Sequence, residues 1–304
     1  MKKYFIFFLI VFISYFSFSL TFINPFGPTI VPITPMLEGI VKGYVNLNIE
    51  LWRTPDEAIA KIVSNYAKFA VLPITIAANL YTKGINIKLV GVHEWKVFYL
   101  VAKKDINSLS DLKGKTVYSA HGRGQTVDVL LRYLLVSNGL IPDKDVKFAY
   151  APPQEIVALF KAGKVEFAAL PEPFVSMCLV NDGKIVLDFQ KEWNKISGSQ
   201  NGIPIAGLFV VGDIAQYKNL IEDVENTFKE SINWSNKNLE KTLEFTSKYL
   251  TIPTPILKNA MQRIEFRYVP ISECKNDVNK FLSTMNELYP EGLPKVPNEE
   301  FYLK

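Results

Sequence analysis

The sequence predicts an α/β protein of two lobes with a ligand cleft between them, and three observations predict it. Strand-like runs alternate with helical ones along most of the chain, the pattern of sheets layered with helices. Residues 55–73 (PDEAIAKIVSNYAKFAVLP) return 98 positions later as residues 153–171 (PQEIVALFKAGKVEFAALP), with seven of nineteen positions identical. A chain of 304 residues, 48% hydrophobic and 21% charged, carries enough apolar material for two cores.

The elements follow in order. Met1-Lys2-Lys3 is basic, Tyr4 to Phe18 is nearly all apolar, and Ser17 and Ser19 put small residues at the positions a signal peptidase reads. Residues 1–19 are therefore expected to be a signal peptide cut close to Ser19. A retained anchor is the alternative, but the apolar run is short for a span of about 20 residues. No Cys follows it, which argues against lipid attachment. The segment holds two lysines and no acid, so its removal takes the formal charge from +4 to +2. The remaining basic residues are interspersed with acidic ones, which speaks against a nucleic-acid partner. Cys178 and Cys274 are too few and too far apart in the chain for a stapling framework and are expected as buried free thiols.

In the first lobe, LTFIN reads as a strand, PFGPT as a glycine turn and NLNIELW as a second strand. A helix opening at Pro55 follows, with Glu57 near its positive end, then the strand FAVLP. The second lobe repeats the order as KTVYSA, HGRGQT and DVKFAY, a helix opening at Pro153 with Glu155, and FAALP. In that helix Ile156, Leu159 and Phe160 form an apolar stripe expected in the core. The turn at 121–126 looks like a phosphate loop and fails the tests for one. Gly122 and Gly124 are followed by Val127 where a dinucleotide fingerprint needs its third glycine, and no Lys-Ser or Lys-Thr pair follows. What remains is a turn that lets backbone approach a ligand, with the first free N–H groups of a helix beside it.

Beyond residue 211 the pattern changes to helices at 220–236, 239–250, 255–263 and 277–288. Thr254-Pro255 is a start signal, and Pro290 with Gly292 a stop. They have no expected strand partner and should pack back on the first lobe. The chain is expected to cross near Lys103-Lys104-Asp105 and return at 202–207, giving one lobe of 20–103 plus 207–304, another of 104–206, and a hinge at 103–106 and 202–207.

These residues carry a family resemblance. SLSDLKGKTV at 108–117, GLIPDKDV at 139–146, ALFKAGKVEFAALPEPFV at 158–175 and the ending PNEEFYLK resemble the solute-binding proteins of ABC importers of the nitrate, sulfonate, taurine and thiamine-pyrimidine type. The resemblance spans nearly the whole mature chain. It implies the type II periplasmic binding fold, a periplasmic monomer without cofactor or metal, a small-molecule ligand, and a membrane permease with its ATPase as partner. The chain departs from the pattern after Phe26-Gly27, where prolines and WRTPDEAIAKI replace a small, glycine-rich strand end. Anion-binding serines or threonines are therefore not carried over, and a ligand with a flat or apolar part is favoured.

In open α/β sheets the ligand lies beyond the carboxyl ends of the strands. That rule nominates Asn24, Phe26, Thr29, Trp52, Arg53, Thr75, Glu94 and Trp95 in lobe one. In lobe two it nominates His121, Arg123, Gln125, Thr126, Glu172 and Phe174, with Asn201 on the return crossing. Each has a structural alternative. Trp52 and Trp95 could be core or could line a mouth where an indole N–H finds a partner. Arg123 could grip a planar anion or stand in water. Glu172 could accept from a ligand amine or only stabilise a helix start. His93 and His121 are the only histidines, too few for a metal site. The expected ligand is a small polar solute, sulfonate, aromatic carboxylate or pyrimidine-like. The competing expectations are an enzyme on the same fold, of the pyrimidine-precursor synthase kind, and a regulator's effector domain. The enzyme lacks a nucleophile elbow and a metal-binding His pair in the sequence, and the regulator lacks a DNA-reading helix-turn-helix.

Overall fold

The structure, a computed structural model, describes residues 19–120 and 122–304. The expected signal peptide falls, except for Ser19, outside the described residues, as does His121. Eleven strands are described: β1 (Leu20–Pro25), β2 (Leu47–Trp52), β3 (Phe69–Pro73), β4 (Ile87–Lys96), β5 (Phe98–Ala102), β6 (Thr116–Ala120), β7 (Lys147–Ala151), β8 (Phe167–Pro171), β9 (Lys184–Asp188), β10 (Ala206–Val211) and β11 (Glu265–Pro270). They form a six-stranded sheet, β11-β4-β10-β3-β1-β2, and a five-stranded sheet, β7-β6-β8-β5-β9.

The internal echo is visible in the backbone. β3 and β8 start and end 98 residues apart, and so do the helices Pro55–Val63 and Pro153–Lys161. In each sheet three parallel strands, β2-β1-β3 or β7-β6-β8, are followed by an antiparallel strand that arrives from the other lobe, β10 or β5.

The chain changes sheets at Val97, one strand earlier than the expected boundary at residue 103, because β5 pairs with β8 and β9. Residues 87–102 run through both strands with Val97 alone between them and no turn residue to mark the change. The turn-forming residues Lys103-Lys104-Asp105 come only after the second strand. The return passes through 198–205 into β10. A second correction concerns the helical region, which contains β11, antiparallel to β4. Its alternation, with Phe266 and Tyr268 buried and Arg267 exposed, is a strand period set among helices.

Gly27 is followed by a 3-10 helix, Pro28–Ile33, and a single turn, Thr34–Leu37. Gly124 is followed by the twelve-residue helix Thr126–Ser137. Pro28, Pro32 and Pro35 explain the difference, since proline supplies no N–H to a helical ladder. The long helix Lys218–Lys237 braces the broken segment, its Ser231 and Ser235 hydroxyls donating to the carbonyls of Pro32 and Val31 at 2.7 and 3.1 Å. Ile30, Val31, Leu243, Leu250 and Leu257 close a small core there, while one larger core runs continuously through both sheets. Two helices of the C-terminal region reach across to the second lobe. Thr254–Met261 packs on Phe174–Leu179, and Ile271–Leu288 packs on Thr126–Ser137.

Candidate functional site

A cavity of about 230 Å³ lies where the two lobes meet. Its wall comes from strand ends, as the strand-end rule requires. Pro28 and Thr29 follow β1, Pro73 ends β3 with Thr75 and Ile76 just after it, and Glu94 stands near the end of β4. Val97 and Phe98 form the crossing, Gln125, Thr126 and Val127 open a helix, Pro171 and Glu172 close β8, and Ile205 belongs to the return. Six nominated residues are thus brought together: Thr29, Thr75, Glu94, Gln125, Thr126 and Glu172. Two helices, Ile74–Thr82 and Thr126–Ser137, begin at this wall. The side chains of Thr75, Gln125 and Thr126 have no hydrogen-bond partner among the described residues. A larger groove of about 570 Å³ adjoins the cavity, sharing Thr75, Ile76 and Gln125, and runs outward past Lys83, Arg123, Tyr289 and Lys295.

The two glutamates of the wall differ sharply. Glu172 is fully committed. Its carboxylate accepts from Arg263 Nε at 2.5 Å, from the Ser176 N–H at 2.9 Å and from the Ser176 hydroxyl at 2.8 Å, while Arg263 also donates to Ser176 Oγ at 2.7 Å. Arg263 follows the helix Thr254–Met261, so this ion pair joins the lobes, with the Glu172 side chain fully buried. Of the two readings open for Glu172, the helix-start one agrees with its bond to the Ser176 N–H in the first turn of Phe174–Leu179, and the Arg263 pair makes it an interlobe joint as well. Glu94 is 7% exposed and has no side-chain partner among the described residues. Burial alone pushes its carboxyl up to about 8. Its neighbour His93 is buried against Phe266 and Phe228, and burial pushes its imidazole down to about 3.

The other nominated residues are placed elsewhere. Asn24 is fully buried and donates to the Pro25 and Thr29 carbonyls, fixing the turn after β1. Trp52 and Trp95 are core residues whose indole N–H groups reach the carbonyls of Val71, at 3.3 Å, and Arg267, at 2.8 Å. The Arg53 guanidinium lies 4.0 Å from the Phe26 ring centre, so these two residues cover each other. Arg123 does not reach the cavity, because Asp143 holds its guanidinium at 3.1 Å on the rim of the outer groove. Phe174 packs against the main core, and Asn201 donates to Asp277 at 2.7 Å. Phe98 and Val97 were missed since no signal marked the crossing. Arg263 was missed because 91 positions separate it from Glu172.

Cys178 and Cys274 are free and buried. No described helix is long and apolar enough to cross a membrane, and no group of three or more His, Cys, Asp or Glu among the described residues is placed to hold a metal ion.

Two α/β lobes crossed twice by the chain, with a solute-sized cavity at the strand ends, define a type II periplasmic binding fold. The sequence model of the NMT1-like family matches residues 66–241, more than half of the chain, and the chain belongs to this family. None of the curated proteins matches it. Among solved structures it is similar to an ABC transporter protein from Parabacteroides distasonis, with a TM-score of 0.80 and 25% identity over 94% of this chain and 99% of that one. The periplasmic aliphatic sulphonate-binding protein SsuA of Escherichia coli is similar at a TM-score of 0.75 and 18% identity, covering 94% and 92% of the two chains. The periplasmic nitrate-binding protein NrtA of Synechocystis PCC 6803 gives 0.66 and 15%, covering 88% and 80%.

Proposed function

We propose that the protein is the extracytoplasmic solute-binding component of an ABC importer, capturing a small polar organic solute between its lobes and presenting it to a membrane permease and its ATPase. The observation that carries this reading is the cavity itself, walled by both lobes at the point where the chain changes sheets. A solute held there touches both lobes, and its binding energy favours the closed arrangement. The similarity to importer binding proteins supports the same role. Export with removal of residues 1–19 belongs to it, and the first core strand starts at Leu20, directly after Ser19.

The test is a thermal-shift screen of sulfonates, carboxylates, amines and pyrimidines, followed by small-angle scattering with each hit. A true solute raises apparent stability by about 2.7 kcal/mol at a hundred times its dissociation constant, and it contracts the scattering envelope through motion at Val97 and 198–205. A hit confirmed by calorimetry that leaves the envelope unchanged would overturn the closure step. N-terminal sequencing of the exported protein should begin at or next to Leu20.

A further inference from the structure

We infer that Glu94 is the specificity-determining group of the cavity and that it selects a solute with a cationic hydrogen-bond-donor head, an amine or amidine, on an apolar body. This rests on the reading of the interlobe cavity as the solute site. Three observations carry it. Glu94 is more than nine-tenths buried, lines the cavity and has no partner among the described residues. The other carboxylate of the wall, Glu172, is consumed by Arg263 and Ser176. No Lys, Arg or described His lines the cavity: Arg263 is taken up by Glu172, and Lys83, Arg123 and Lys295 line the outer groove, with Arg123 held by Asp143.

An anionic solute finds poor provision here. Of the two helices that begin at the wall, the one opening at Thr126 already has its counter-charge, since Asp128 is fully buried in its first turn, accepts the Gly124 N–H at 2.8 Å and pairs with Arg132; the other, Ile74–Thr82, has no acid in its first turn but opens on the wall that holds Glu94. An anion beside Glu94 would require that carboxyl to stay protonated, whereas a cationic head lets it ionise and form charge-assisted hydrogen bonds, bidentate for an amidinium. A buried carboxyl without a partner is a cost to the empty protein, and a cationic ligand offsets that cost. Val97, Phe98, Ile76 and Ile205 supply the apolar wall for the rest of the solute.

The experiment uses probes matched in shape and different in charge. Benzamidine, benzamide, benzoate and benzenesulfonate, with n-butylamine and butanesulfonate as an aliphatic pair, are titrated calorimetrically into the full-length mature protein and its Glu94→Gln variant at neutral pH. The wild type should bind at least one of the cations about tenfold or more tighter than its matched anion. Glu94→Gln should weaken that cation about tenfold while leaving benzamide nearly unchanged. Tighter binding of an anion by the wild type, an unchanged preference in the variant, or no binding of either cation at millimolar concentration overturns the assignment. The wild-type order alone decides the first of these, whether or not the variant folds. If the anions bind, the cavity remains the solute site and only the charge selection falls; scattering with the bound anion then tests closure separately.

Discussion

The two lobes share one plan and differ in where their charges are committed. In lobe two the acidic groups are tied down: Glu172 to Arg263 and Ser176, Asp128 to Arg132 and Gly124, and Asp143 to both Arg132 and Arg123. In lobe one Glu94 lines the same cavity without a side-chain partner among the described residues. The segments after the first strand differ too, a full helix in lobe two and a proline-broken one braced by hydroxyls in lobe one. A repeated scaffold therefore carries two kinds of work. Lobe two fixes the joint between the halves, and the selective chemistry sits on a strand of lobe one, since only an uncommitted group can respond to a ligand.

The sharpest way to break this comparison is to release the committed glutamate. Arg263→Ala leaves a fully buried carboxylate without its cation and should lower unfolding stability by about 3–5 kcal/mol, measured by urea denaturation. A loss below about 1 kcal/mol would mean that the pair behaves as a surface one and that Glu172 is no joint.

Glu94 should behave in the opposite sense. Its folded carboxyl titrates near 8 and its unfolded one near 4.5, so the folded state holds the extra proton and stability falls as pH rises between those values. His93 opposes it, being neutral in the fold down to about 3 and protonated below 6.5 when unfolded, so its contribution rises with pH up to 6.5. The two slopes cancel between about 4.5 and 6.5, and from 6.5 to 8 Glu94 acts alone. The unliganded protein should lose about 2 kcal/mol across that upper window, at roughly 1.4 kcal/mol per pH unit. Glu172, the other titratable group of the cavity, keeps its Arg263 partner in both the wild type and Glu94→Gln. Denaturation curves of the two proteins from pH 6 to 8.5 check the difference, and parallel curves would assign the slope to other groups.

The opening turns offer a smaller contrast. Both glycines have positive φ, +81° at Gly124 and +153° at Gly27, so a Cβ strains the backbone at each; at Gly124 it would also stand 1.8 Å from the Tyr289 ring, whereas at Gly27 it meets nothing within 4 Å. Gly124→Ala should therefore cost about 1–2 kcal/mol more than Gly27→Ala, since the ring must move as well as the backbone strain. Equal thermal shifts would show that Tyr289 yields freely. The smallest effect belongs to Arg123→Ala, which removes a half-exposed ion pair and should change stability by less than about 1 kcal/mol. Calorimetry with any bound solute should show affinity nearly unchanged, and a large loss would return Arg123 to the site.

The sequence by itself determined the repeat, the α/β class, the family and the strand-end rule that gathered Thr29, Thr75, Glu94, Gln125, Thr126 and Glu172. These are local or periodic properties: Pro55 and Pro153 start helices, Phe69–Pro73 and Phe167–Pro171 end at equivalent points, and a ligand cleft follows from the class. Only the tertiary structure decided where the chain crosses, because β4 and β5 are two strands with no turn between them. It also decided which of the nominated side chains are free. Trp52, Trp95 and Arg123 looked available until Val71, Arg267 and Asp143 were brought beside them. Glu94 and Glu172 are alike as letters near strand ends, and what separates them is Arg263, delivered from 91 positions away by the packing of a helix from the other lobe. A side chain's commitment depends on partners distant in sequence, and no local pattern encodes it.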